Sequence, residues 1–188
     1  RHNLLLDPRH HVAPPRFEEA MFELMTLGNT PVITHPERLA WVDSNYEMLV
    51  RMAARGAWMQ VTAGALTGRF GKRVQYWGEK FVAEGHCHVL ATDAHDPRQR
   101  PPLLAEAHEV AARLVGKDAA GHMVVTRPRG VVADADPSAL PPPVALTRGG
   151  ARREAASDVR PTGALRRVLS GLLPPAWAAP TMTAPART

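Results

Sequence analysis

The 188-residue chain reads as an α/β protein built on a parallel sheet, and three observations predict this. Short apolar runs recur about every 28 residues, at 3–6, 31–34, 58–61 and 88–91, as strands separated by helices do. Stretches of helical period fill the intervals, and the first three of them end on a glycine, as helix C-termini often do. Alternation of this kind makes βα units, in which each helix carries the chain back so that the next strand lies parallel to the last. A closed eight-unit barrel needs about 250 residues, so four units amount to half of one. Either the sheet is open or the chain is a piece of a larger barrel, and its opening at Arg1 directly before a strand favours the piece.

The elements follow in order. After the first strand, Phe17, Ala20, Met21, Leu24 and Met25 mark a helix that stops before Gly28. Tyr46, Leu49, Val50 and Ala53 mark a second, ending before Gly56, with Asp43 and Ser44 as expected N-terminal caps. A third is predicted over 72–84, closed by Gly85, and a fourth over 102–115. The short apolar run at 123–126 reads as an added edge strand. Beyond Pro137 the composition changes, and residues 141–188, with eight of the eighteen prolines, are expected to form a disordered Pro/Ala/Arg-rich tail behind a folded part at 1–140. Within the tail, 164–173 carries a weak amphipathic pattern that offers a minor contact to a membrane or partner.

Charge divides at the same boundary. Residues 1–140 carry 16 Lys+Arg against 16 Asp+Glu, while 141–188 carry seven Arg against Glu154 and Asp158, so the entire excess of +5 lies in the tail. A balanced folded part argues against a nucleic-acid partner despite the pI near 10.1. All nine histidines fall between His2 and His122, which concentrates metal and proton chemistry in the folded part. The single cysteine, Cys87, excludes an internal disulfide, and no apolar run is long enough to span a bilayer, so a cytoplasmic setting is expected.

Enzymes with βα architecture hold their reactive groups where strands end and loops begin. Asp7 follows the first run, His35 the second, and Asp93 and His95 the fourth, so three strands deliver carboxylate and imidazole to one edge. Such a donor set without thiolate suits Mn²⁺, Fe²⁺ or Zn²⁺ in a hydrolytic site of two or three ions. Each histidine taken alone is more often a hydrogen-bonded loop residue than a ligand. Two arginines shift that balance: Arg38 three residues after His35 and Arg100 five after His95 place a guanidinium beside each candidate ligand, a pattern suited to an oxyanion such as a phosphoryl group. The glycine-rich stretch 64–72, with Arg69, is a weaker anion candidate and equally reads as a tight turn. His86, His88, His108 and His122 lack such surroundings and read as structural or exposed. Cys87 has no arginine-bearing loop after it and reads as a buried thiol.

In the sequence Thr30-Pro31-Val32-Ile33-Thr34-His35-Pro36-Glu37-Arg38, the stretch 64–72, then Thr92-Asp93-Ala94-His95 and Arg100-Pro101-Pro102, the chain resembles the PHP-type bacterial protein-tyrosine phosphatases of capsule and exopolysaccharide biosynthesis (CpsB/CapC-like). The resemblance runs over about residues 1–140 and implies the C-terminal half of a distorted, TIM-like βα barrel. It implies a divalent metal cluster, chiefly Mn²⁺, and hydrolysis of phosphotyrosine on an autokinase or chain-length regulator of polysaccharide export, with no phosphocysteine. Carried over by position, His35, Asp93 and His95 match the family's ligands, and Arg38 and Arg100 its phosphate-contacting arginines. Asp7 departs from the family's usual glutamate, and the family's earlier histidine ligands have no counterpart here, so the fragment alone is expected to be inactive. Two rivals remain: a PHP phosphoesterase of a small metabolite such as histidinol phosphate, and a catalytically incomplete remnant that binds or regulates.

Overall fold

The computed structural model describes residues 3–98 and 101–147. Four strands, β1 (Asn3–Leu6), β2 (Thr30–Thr34), β3 (Trp58–Thr62) and β4 (Val89–Ala91), form one sheet in the order β1-β2-β3-β4. Every pairing is parallel, with Leu6 beside Ile33, Thr34 beside Gln60 and Thr62 beside Ala91. The sheet is open among the described residues. Central strands β2 and β3 are buried at every position, as parallel strands covered on both faces must be, whereas β1 exposes Leu5.

Helices return the chain between strands: α1 (Phe17–Thr26), α2 (Val42–Ala54) and α4 (Lys72–Ala83), with the single turn α3 (Ala63–Leu66) directly after β3. Their apolar faces bury Met21, Leu49, Met52, Phe81 and Val82 against Ile33, Met59, Val61 and Leu90 of the sheet. Fully burying one such side chain contributes about 2 kcal/mol, so this layer dominates the stability of the fold. Among the described residues no helix is long and apolar enough to cross a membrane.

Two local expectations are corrected. Helix α2 begins at Val42 with no side-chain cap, so neither Asp43 nor Ser44 caps it; the Asp43 carboxylate accepts from Trp77 Nε1 (2.7 Å) and from Arg73 Nε (3.0 Å). Those donors arrive from α4 and outcompete the local backbone amides. Residues 123–126 are not an edge strand but a helical turn between α6 (Lys117–Gly121) and α7 (Arg127–Val132). The β-branched pair Val124-Val125 carried the strand signal, yet the buried positions are Ala120, Met123, Arg127 and Gly130, which is helical spacing. The preceding helix α5 (Ala105–Val115) starts three residues later than the sequence suggested.

Residues 141–147 lie against the fold. The guanidinium of Arg127, 1% exposed, donates to the backbone carbonyls of His88 (2.9 Å), Pro141 (2.8 Å) and Pro142 (2.9 Å). Gly85 (φ +82°) admits the approach of Ala145, whose N–H donates to its carbonyl at 3.1 Å. A Cβ at Gly85 would stand 2.4 Å from that nitrogen. Residues 148–188, including the amphipathic stretch 164–173, lie outside the described residues.

Candidate metal and phosphate site

Because all four strands run the same way, their C-terminal ends share one edge of the sheet, and there the chain departs from ordinary backbone geometry. His35, directly after β2, has φ +37°, and Asp93, two residues after β4, has φ +50°. Left-handed backbone at residues other than glycine carries strain, and it clusters where surroundings hold a side chain in one direction. His35 is held by its N–H, which donates to Gln60 O at 2.8 Å and extends the β2–β3 ladder by one bond. The 3₁₀ turn Pro36–Arg38 follows at once, closed by Arg38 N–H to His35 O (3.0 Å).

Asp7, His10 and His35 meet at this edge, each offering a ligand atom within 4.8 Å of the others. Asp7 Oδ1 stands 3.4 Å from His35 Nε2 and 3.9 Å from His10 Nε2, and the two imidazole centroids are 4.9 Å apart. The loop bearing His10 is pinned across the site: Ala40 N–H donates to His10 O (2.7 Å) and Trp41 Nε1 to Arg9 O (2.9 Å). Burial is the largest effect on His35 and pushes its pKa down, helped by the Arg38 guanidinium and opposed by Asp7 and Asp93. Its ring is therefore neutral at physiological pH, the form that binds a metal. Nδ1 of His35 is buried and has no partner among the described residues. One carboxylate and two imidazoles fit a divalent transition-metal ion.

A second group adjoins the first. Arg38 donates from Nη1 to Asp93 Oδ2 at 2.7 Å, joining the loop after β2 to the loop after β4. The Arg38 guanidinium also lies over the ring of Phe70, 4.9 Å from its centroid. His95 is exposed, with Nδ1 2.9 Å from Asp93 O. Asp93 and His95 fall outside the tight donor trio. Asp93 instead faces Arg38. Arg69 is exposed beside Phe70, and among the described residues its side chain makes no hydrogen bond to the trio or to Asp93; Arg100 lies outside the described residues.

Three residues escaped the sequence reading. His10 carried a faint signal, as a histidine three positions beyond the strand-end Asp7. Glu37 is fully buried, accepts Thr62 N–H at 3.0 Å, and is pushed by that burial up to about 7. Phe70 gave no signal beyond lying in a glycine-rich turn. Two residues read as inert from sequence are so placed: Cys87 is buried, with its thiol pushed up to about 12, and His88 stacks on Trp58 and accepts Met59 N–H (3.2 Å).

The chain is similar to known proteins in sequence and in fold. The family model described as "Capsular polysaccharide synthesis, CpsB/CapC" matches residues 6–133. The tyrosine-protein phosphatase YwqE of Bacillus subtilis is 35% identical over 112 residues, covering 59% of this chain and 43% of the relative. The putative tyrosine-protein phosphatase CapC of Staphylococcus aureus is 32% identical over 103 residues, covering 55% and 40%. A solved structure from a study of YwqE of Bacillus subtilis and CpsB of Streptococcus pneumoniae, described as unique metal-dependent tyrosine phosphatases, superposes with a TM-score of 0.66 at 27% identity. That match covers 71% of this chain and 54% of the solved one. The chain thus spans about half the length of the curated relatives it matches. With two thirds of its residues inside the family match, the chain belongs to the CpsB/CapC family of capsular polysaccharide synthesis.

Proposed function

We propose that this chain contributes one side of the active site of a metal-dependent protein-tyrosine phosphatase acting in capsule or exopolysaccharide synthesis. The observation that carries the reading is the adjacency of two chemistries at one sheet edge: the Asp7–His10–His35 donor trio and the Arg38–Asp93 pair, linked through the turn that bears both His35 and Arg38. The names of the relatives support the reaction class. In this reading residues 1–140 are the C-terminal half of a distorted PHP-type barrel, and Asp7, His10 and His35, with Asp93 and His95 from the loop after β4, would hold a divalent cluster that is chiefly Mn²⁺. The chemistry supplied by such ions is Lewis-acid charge on the phosphoryl oxygens and easier ionisation of water near neutral pH.

The chain's own residues do the rest. His35 stays neutral because it is buried beside a guanidinium. Arg38 binds the phosphoryl oxygens through the N–H groups that Asp93 leaves open, and Arg100 adds a second guanidinium. Donors aimed at charge that develops in the transition state contribute a few kcal/mol each. The substrate is a tyrosine-phosphorylated kinase of polysaccharide export, met in the cytoplasm.

The test uses the 188-residue chain and the same chain extended through any coding sequence upstream of Arg1. The 188-residue chain is expected to turn over a phosphotyrosyl peptide poorly, and an extended form that supplies further histidine ligands to do so with Mn²⁺. His35→Ala should lower metal content and turnover together, whereas Arg38→Ala should keep the metal and slow turnover. Full turnover in Arg38→Ala with full metal content would refute the phosphate role of that arginine.

A further inference from the structure

The contact between Arg38 and Phe70 is unexplained by anything so far assigned to the glycine-rich turn. Phe70 lies in the segment that joins α3 to α4, and that segment is tightly stapled: Gly68 N–H donates to Ala65 O (3.1 Å), Arg69 N–H to Gly64 O (2.9 Å) and Gly71 N–H to Gly68 O (3.1 Å). On one side the Phe70 ring rests against the backbone of Gly64, where a Cβ would stand 2.8 Å from Cε2. The ring also carries the Arg38 guanidinium, 4.9 Å from its centroid. Gly64 therefore makes room for an aromatic ring, and the ring makes a floor for a cation.

A guanidinium presents its donors in a plane, so binding an oxyanion depends on where that plane lies. At Arg38 one edge is tied to Asp93 at 2.7 Å, and a single hydrogen bond leaves the tilt of the guanidinium plane to be set by other contacts. A ring beneath the plane removes that freedom and shields one face from water, while the remaining N–H edges stay directed at an incoming anion. We propose that Phe70, admitted by Gly64, is a positioning residue that orients Arg38 for phosphoryl recognition; this rests on the phosphate role of Arg38 proposed above. The turn thereby acts on the anion through an aromatic side chain and not through its amides or Arg69.

The experiment is a double-mutant cycle read by binding of inorganic phosphate, titrated by calorimetry with the 188-residue chain in the presence of Mn²⁺. Phe70→Leu should weaken phosphate binding roughly fivefold, the size of one cation–π contact at a partly exposed site. Phe70→Tyr, which keeps the ring, should restore binding. In an Arg38→Ala background Phe70→Leu should have no further effect, and metal content should be the same in all four proteins of the cycle. Gly64→Ala, which displaces the ring, should reproduce Phe70→Leu, with cooperative unfolding confirming that each variant folds. If the two losses add, or if Phe70→Tyr behaves like Phe70→Leu, Phe70 does not act through Arg38 and the inference is overturned while the phosphate role stands. A wild-type chain that binds no phosphate would overturn both.

Discussion

Replacing Glu37 by Gln should make the stability of the fold less dependent on pH. Glu37 sits wholly inside the protein between the His35–Arg38 turn and β3, with one oxygen on Thr62 N–H and the other, Oε2, without a partner among the described residues. Burial disfavours its charged form and raises its pKa from the ordinary 4.5 to about 7, against the smaller lowering effect of its hydrogen bonds and of Arg38. Between those two values the folded protein holds a proton that the unfolded chain has released. Stability therefore falls as pH rises through that window and stays low above about 7. At about 1.4 kcal/mol per pH unit, the penalty is on the order of 3 kcal/mol at pH 8 and about 1 kcal/mol at pH 5. Glutamine keeps the acceptor for Thr62 and cannot ionise. Its amide donor adds an offset that does not vary with pH, so the informative quantity is the change in the stability gap between variant and wild type. That gap should move in favour of Gln by about 2 kcal/mol from pH 5 to pH 8, or several degrees in Tm. Denaturant titrations with a chelator present, so that no ion at His35 masks the carboxyl, would measure it. A gap that is constant across that range, or that moves the other way, would show that Glu37 is not the buried acid described.

Two further outcomes are expected. Arg127→Met should destabilise the fold by about 3 kcal/mol, since the buried carbonyl of His88 and the part-buried carbonyls of Pro141 and Pro142 lose their donor, and limited proteolysis should then cut sooner within 141–147. Cys87, buried and with its thiol pushed up to about 12, should resist thiol reagents in the native protein and react at the rate of unfolding; prompt labelling in buffer would contradict its placement.

The alternation of apolar runs with helical stretches determined the four parallel strands and the helices between them, because a period of 2 or 3.6 is a property of the chain itself. It also placed Asp7, His35, Asp93 and His95 at strand ends, since parallel strands all finish on one side of their sheet. Where local preference competed with contacts from afar, the sequence misled. Val124-Val125 favoured a strand, but burial of Met123 and Arg127 needed a helix; Asp43 suited a cap, but Arg73 and Trp77 reached it first. Only the tertiary structure decided that His10 folds back onto Asp7 and His35, that Asp93 faces Arg38, that Glu37 is sealed from water, and that Phe70 lies beneath a guanidinium 32 positions away. Each of these depends on loops from different strands meeting at one edge, and the direction of a loop is set by what it packs against, not by the residues it contains.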